Sequence, residues 1–214
     1  MPFDVHPLIA MTTIQSLIQR VQKTQHGFTD IQKAADEVFA GHDKVETLHL
    51  AKELFAADVP QARMLATFLY GKLAAKSKES FTFLRKRVSL DKDWRVQEIL
   101  AQAFDQYCKD SGYENLLPVI EDWLVDTNPN LRRAVTEGLR IWTTRDYFRE
   151  HPEVAIQLLS RLRADESEYV RKSAGNALRD ISRKHKELIR TELQSWDTSD
   201  KQVLQTYKLA GKFL

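Results

Sequence analysis

The sequence predicts an all-α helical-repeat solenoid, and three observations carry that expectation. First, one short pattern occurs three times, as DKDWRVQEILAQAF from Asp91, DTNPNLRRAVTEGL from Asp126 and DESEYVRKSAGNAL from Asp165, so the copies stand 35 and 39 residues apart. Second, each copy has an aliphatic residue five positions after its Asp (Val96, Leu131, Val170) and a small residue seven further on (Ala103, Gly138, Ala177). Third, apolar residues recur at helical spacing along the whole chain, with no alternating strand pattern between them.

A period of that length, with Asp ahead of a Val-Arg-like pair at a helix start, points to HEAT-type repeats. At 100° per residue Val96, Leu100, Ala103 and Tyr107 share a stripe, matched by Leu131, Val135, Gly138 and Trp142 and by Val170, Ala174, Ala177 and Ile181. This is the expected core face. The opposite face carries Glu98, Arg133 and Lys172 in register, followed by Asp105, Arg140 and Arg179. Stacked repeats would line these up as a polar, largely basic row. The small residues Ala101, Thr136 and Gly175 are expected on the same side, where they would let a ligand's backbone approach closely.

The elements follow in order. Leu8, Met11, Ile14, Leu17, Ile18 and Val21 predict an amphipathic capping helix from Pro7 to about Thr24. Thr29 or Asp30 is expected to N-cap a second helix through Phe39, ended by Gly41, with a third from Lys44 to Ala56. Pro60 opens a helix to about Ala75 that resembles a degenerate repeat, and Ser80 to Leu90 supplies its partner. Trp94 to Lys109 ends at Ser111-Gly112. Pro118 marks a kink or a late start in the segment from Glu114 to Val125. Asn128-Pro129 caps a helix to about Thr143, and His151-Pro152 opens the next. The third copy runs from Asp165 to Arg183, followed by Glu187–Trp196 and a closing helix over Ser199–Lys212. The expected total is about eleven helices. They would form one domain, with capping helices over 1–57, repeats over 58–196 and a closing helix over 197–214.

Bulk properties exclude several classes. The 43% hydrophobic fraction is that of a folded protein, and the net charge of +2 does not by itself indicate nucleic acid. The charge is uneven, however: residues 1–60 hold 5 Lys/Arg and 8 Asp/Glu, whereas residues 129–190 hold 14 and 9. One cysteine, Cys108, allows neither an internal disulfide nor a cysteine-rich zinc site, and it is expected in the core. There is no HExxH pair, no GxSxG elbow and no phosphate loop ahead of Gly211-Lys212, while His42 and His49 have no cysteine nearby. No metal or cofactor is expected. The start MPFDVHPLIAMTTIQ lacks a signal-peptide pattern, so the expected setting is the cytoplasm, without membrane contact.

Three constellations stand out as candidate chemistry. Trp94 and Glu98, one helical turn apart, put an aromatic face and a carboxylate together, a pair suited to a cationic ligand or, alternatively, to helix packing. Arg132 and Arg171 are expected to pair with the Asp of a neighbouring repeat. Arg133, Arg140, Lys172 and Arg179 point elsewhere and could follow phosphates. Trp142 falls on the core stripe, and Asp180 lies one position off the basic row.

The segments DWRVQEILAQAFD from Asp93, NPNLRRAVTEGLR from Asn128 and SEYVRKSAGNALRDISRKH from Ser167 resemble the AlkC/AlkD-type alkylpurine DNA glycosylases of the DNA alkylation repair superfamily, over about residues 45 to 190. The resemblance implies a concave basic face, duplex DNA as partner and hydrolysis of the N-glycosidic bond of N3- or N7-alkylated purines; a solenoid with capped ends is expected to be a monomer. Carried over by position, it implies Glu98 as the catalytic carboxylate with Asp180 as a second acidic candidate. It also implies Trp94, Trp142 and Asn176 at the lesion, and Arg133, Arg140, Lys172 and Arg179 at the DNA backbone. In the AlkD-type members this is achieved without base flipping. Two departures open an alternative, a non-catalytic member that binds branched, bent or damaged DNA: Asn176 stands where the AlkD branch has a Trp, and the segment after Gly138 is short. A protein-interaction scaffold is the third reading.

Overall fold

The computed structural model describes residues 7–214, with side chains from residue 14 onward, so the expected packing of Leu8 and Met11 lies outside the described residues. Among the described residues the chain is all-α, with thirteen α-helices, three short 3-10 turns and no strand. Its contacts form two compact units, Met1–Tyr107 and Cys108–Leu214, whose boundary falls inside one helix.

The first unit holds α1 (Pro7–Val21), α2 (Thr29–Gly41), α3 (Lys44–Phe55), α4 (Pro60–Ala74), α5 (Lys78–Lys86), a 3-10 turn at Val88–Leu90 and most of α6 (Trp94–Ser111). Thr29 and Asp30 lie inside the first turn of α2 and do not cap it; Phe28 occupies the cap position. A capping box that sequence reading passed over starts α3. The Asp43 carboxylate accepts from the backbone N–H of Val45 and Glu46 at 2.8 and 2.9 Å, and the Glu46 carboxylate accepts from Asp43 N at 3.0 Å. Ser77 caps α5 in the same way, through Ser80 N at 3.1 Å.

The α4 helix is buried on nearly every side, and Gly71 is what lets α6 lie against it. A Cβ at Gly71 would come within 2.7 Å of Ala103 Cα, a contact with backbone that no rotamer change relieves. Gly71→Ala is therefore expected to destabilise the protein by about 1–3 kcal/mol despite the higher helix propensity of Ala. Thermal melts read this directly, and Ala103→Gly in the same chain should restore part of the loss.

The second unit holds the end of α6, then α7 (Leu117–Leu124), α8 (Pro129–Gly138), a 3-10 turn at Trp142–Thr144, α9 (Asp146–Glu150), α10 (Pro152–Ser160), α11 (Glu168–Ser182), α12 (Lys186–Gln194), α13 (Lys201–Ala210) and a 3-10 turn at Gly211–Phe213. Pro118 sits in the first turn of α7, so it marks a late start and not a kink. The expected helix to Thr143 stops at Gly138 instead. The chain then turns through Ile141, which has φ 51°, and a short helix the sequence did not indicate, α9, follows.

The repeat has a physical basis that recurs in each copy. Asp91, Asp126 and Asp165 each accept a hydrogen bond from the backbone N–H two residues on, at 2.9, 2.9 and 2.8 Å, which turns the chain into the next helix. At Asp91 and Asp165 an arginine from the preceding repeat then grips that Asp. Arg132 Nε and Nη2 donate to Asp165 at 2.6 and 2.7 Å, while its Nη1 donates to the carbonyls of Asp126 and Thr127. Arg63 does the same to Asp91 and to the carbonyls of Ala57 and Asp58, one repeat earlier than the sequence pattern was legible. Arg171 keeps the carbonyl contacts, to Asp165 and Glu166, but meets Gln205 where a carboxylate was expected. Gln97 stands at the equivalent place in its copy and reaches the Asp91 carbonyl at 2.7 Å.

Candidate functional site

In the first unit, the start of α6 fixes the most distinctive side chains. The Asp93 carboxylate accepts from Arg95 N at 2.9 Å and from the Arg95 guanidinium at 2.9 and 2.7 Å, satisfying an orphan donor of the helix end. The hydrogen bonds from Arg95 hold the Asp93 carboxyl below its ordinary range despite partial burial, and Asp93 raises the guanidinium in turn. A carboxyl whose folded pKa is depressed stabilises fully above its unfolded value and loses that contribution as pH falls through the folded one. The melting temperature gained by wild type over Asp93→Asn should thus be largest near neutrality. It should shrink below about pH 4, the range of an unperturbed Asp; a difference that stays constant with pH would remove the ion pair from the stability of this turn.

Trp94, held at the first position of α6 by that turn, is 68% exposed. Glu98 follows one turn later and is half-buried. Both line a recess of about 80 Å³, closed on its other sides by the segment Thr24–Phe28 and by Gln61, Met64 and Arg95. Gln61 Nε2 donates to Thr24 O at 3.1 Å, and the Phe28 ring lies 6.0 Å from that of Phe68, which together seat the segment. Gly27 in its middle has φ 71°, a left-handed conformation that favours glycine. Among the described residues, none donates a hydrogen bond to the Glu98 carboxylate or ion-pairs with it. Sequence reading found Trp94 and Glu98 but not Thr24–Phe28, whose place is set by tertiary contacts alone.

In the second unit, the residues expected at a DNA backbone divide into two kinds. Arg133 is half-buried on α8 and has no ion-pair partner among the described residues. The other three are paired. Lys172 bridges Glu168 at 2.6 Å, a hydrogen bond that draws the Glu168 carboxyl below its ordinary range. Arg140 meets Asp180 at 3.1 Å and Glu137 at 3.5 Å; burial opposes its charge, but these two carboxylates outweigh that and raise its pKa. Arg179 meets the other oxygen of Asp180 at 3.1 Å and donates to Asn176 Oδ1 at 3.0 Å. Asp180, with its side chain 9% exposed, is thus a carboxylate clasped by two guanidiniums.

Two expectations need correction. Trp142 is wholly buried, its ring 4.9 Å from that of Phe148, so it is a core residue and presents no face to a base. Ala101, Thr136 and Gly175 are buried as well. Thr136 Oγ1 bonds Ser173 Oγ at 2.6 Å, and a Cβ at Gly175 would lie 2.8 Å from Leu209 Cβ. Their small size serves helix packing. Cys108 is buried, as expected. Among the described residues there is no cluster of His, Cys, Asp and Glu fit to hold a metal, and no helix long and apolar enough to cross a membrane.

Tandem helical pairs joined by an Asp-turn and an arginine grip define a HEAT-like helical-repeat protein. Residues 26–206 match the family model described as DNA alkylation repair enzyme, and the chain belongs to that family. The crystal structure of AlkD2 from Streptococcus mutans is similar at 46% identity and a TM-score of 0.93, covering 96% of this chain and 99% of that one. The structure of smu.31 from Streptococcus mutans UA159 is similar at 45% identity and a TM-score of 0.88, covering 94% and 99%. The AlkC alkylpurine DNA glycosylase of Pseudomonas fluorescens, bound to DNA containing an abasic site analog, shares the fold at 23% identity and a TM-score of 0.50 over 94% of this chain and 62% of that one. The uncharacterized protein YhaZ of Bacillus subtilis (strain 168) is 33% identical over 87 residues, so the match spans 39% of this chain and 24% of that protein.

Proposed function

We propose that this protein binds duplex DNA and hydrolyses the N-glycosidic bond of purines alkylated at N3 or N7, with Glu98 as its catalytic carboxylate. The observation that carries the reading is the exposed indole of Trp94 beside Glu98 on one shared recess. Alkylation at N3 or N7 gives the base a positive charge, so it leaves without an enzyme acid. The C1′–N bond breaks with its electron pair passing to the base, which becomes neutral. The sugar is left as an oxocarbenium cation, water bonds to C1′, and the water's proton passes to the carboxylate and on to solvent. A carboxylate beside the sugar stabilises the developing cation and orients that water. The face of Trp94 attracts the cationic base. Arg133 is assigned to a backbone phosphate.

A second reading, a non-catalytic protein that recognises branched or damaged DNA, draws support from a specific observation. Of the three residues expected at the lesion, only Trp94 offers an exposed ring: Trp142 is buried and Asn176 is engaged by Arg179. The two readings separate in one assay. Release of 3-methyladenine or 7-methylguanine from methylated duplex DNA is expected of a glycosylase. Retention of the same duplex in a binding assay without any released base would sustain the second reading and overturn the first.

A further inference from the structure

The outward face of α11 carries one more cation than the expected basic row. Lys172, Asn176, Arg179 and Arg183 recur at spacings of 4, 3 and 4 residues, so they share one face over about three turns, roughly 16 Å. Two of the three cations are engaged: Lys172 with Glu168, and Arg179 with Asp180. Arg183 is exposed and has no carboxylate partner among the described residues. It is nevertheless held. Its Cζ lies 4.8 Å from the centre of the Phe213 ring, and the Arg179 Cζ lies 5.7 Å from the same ring.

Cations four residues apart on a helix repel, which drives flexible side chains away from each other. Here the ring of Phe213, carried on the 3-10 turn after α13, attracts both guanidiniums, and Asp180 offsets the charge of one. A guanidinium drawn over an aromatic ring by cation–π attraction still has N–H donors to offer at its edge, and arginine grips a phosphate with two parallel hydrogen bonds. Contact with the ring also restricts the side chain before any ligand arrives. Arg183 therefore combines an uncompensated charge, exposed donors and a fixed position.

We infer that Arg183 contacts a DNA backbone phosphate and that Phe213 is its positioning residue. This rests on duplex DNA being the partner. It does not depend on base excision, so it holds under either reading of the function.

The test is fluorescence anisotropy of a labelled unmodified duplex, titrated with protein at several NaCl concentrations. Arg183→Ala should weaken binding several-fold at low salt and reduce the slope of log affinity against log salt by about 0.9, the loss of one phosphate contact. Phe213→Ala should weaken binding with the slope nearly kept, because the cation remains but is no longer held; Phe213→Tyr, which keeps the ring face, should bind as wild type. If wild type binds with the expected salt dependence while Arg183→Ala matches it in affinity and slope, the assignment of Arg183 is overturned and DNA binding stands. Equal loss in Phe213→Ala and Phe213→Tyr would overturn the positioning role. Absence of binding by wild type at low salt would overturn both this inference and its premise, and the wild-type control alone tells the two failures apart.

Discussion

Arg132→Ala is expected to destabilise the protein by about 3–5 kcal/mol, the range for removing one partner of a buried ion pair. The side chain makes four hydrogen bonds: two to Asp165 at 2.6 and 2.7 Å and one each to the carbonyls of Asp126 and Thr127. Its loss strands a carboxylate whose side chain is 7% exposed and which retains only the Ser167 N–H as an identified donor. For a chain of this size such a change lowers the melting temperature by roughly 10 °C. Arg133→Ala supplies the control. It removes the same charge one residue away, where no carboxylate is paired, and should stay within about 0.5 kcal/mol. Equal losses in urea melts would mean that the grip adds nothing beyond ordinary side-chain burial. Replacing both members, Arg132→Met with Asp165→Leu, should recover most of the stability. The cost of the single change lies in the stranded charge, whereas a buried pair itself is close to neutral relative to apolar packing.

That grip also marks where the sequence was legible. The core stripe was, because helical angle alone decides which side is covered: Val96, Leu100, Val135, Val170, Ala174 and Ile181 are all fully buried. Pairing of Arg132 with an adjacent Asp was legible for a different reason, because the repeat places an Asp at the start of the next copy. The earlier copy was only dimly so. Two of Arg63's contacts go to the carbonyls of Ala57 and Asp58, and a carbonyl leaves no trace in residue identity. Three other features had no local signal. The end of α8 at Gly138 depends on a left-handed Ile141, a β-branched residue that ordinarily avoids that conformation. The Arg140–Asp180 pair joins residues 40 apart in sequence, so spacing on one helix gave the direction of Arg140 but not its partner. The recess beside Trp94 depends on Gln61 reaching Thr24 O, 37 residues away. Helical geometry shows which way a side chain points; what it meets there is decided by another part of the chain.

Glu98→Gln is expected to reduce release of N3- and N7-methylated purines by about 10²–10³-fold, some 2.7–4 kcal/mol of transition-state stabilisation. The substitution keeps shape and hydrogen-bonding reach but removes the charge. Because no described residue is tied to the Glu98 carboxylate, the fold should be untouched. Its effect on binding should have the opposite sign. A carboxylate facing polyanionic DNA opposes association, so affinity for unmodified duplex should stay level or rise slightly in the variant. Excision falling while affinity holds or rises is a split that neither misfolding nor lost contact area can produce, since both lower the two together. Trp94→Ala should behave differently. It loses about 0.5–2 kcal/mol of attraction for a cationic base, seen as reduced discrimination between methylated and unmodified duplex. Unchanged excision in Glu98→Gln would take the carboxylate out of the chemistry, and a wild type that binds but never releases a base would leave Trp94 and Glu98 as a recognition pair on a non-catalytic protein.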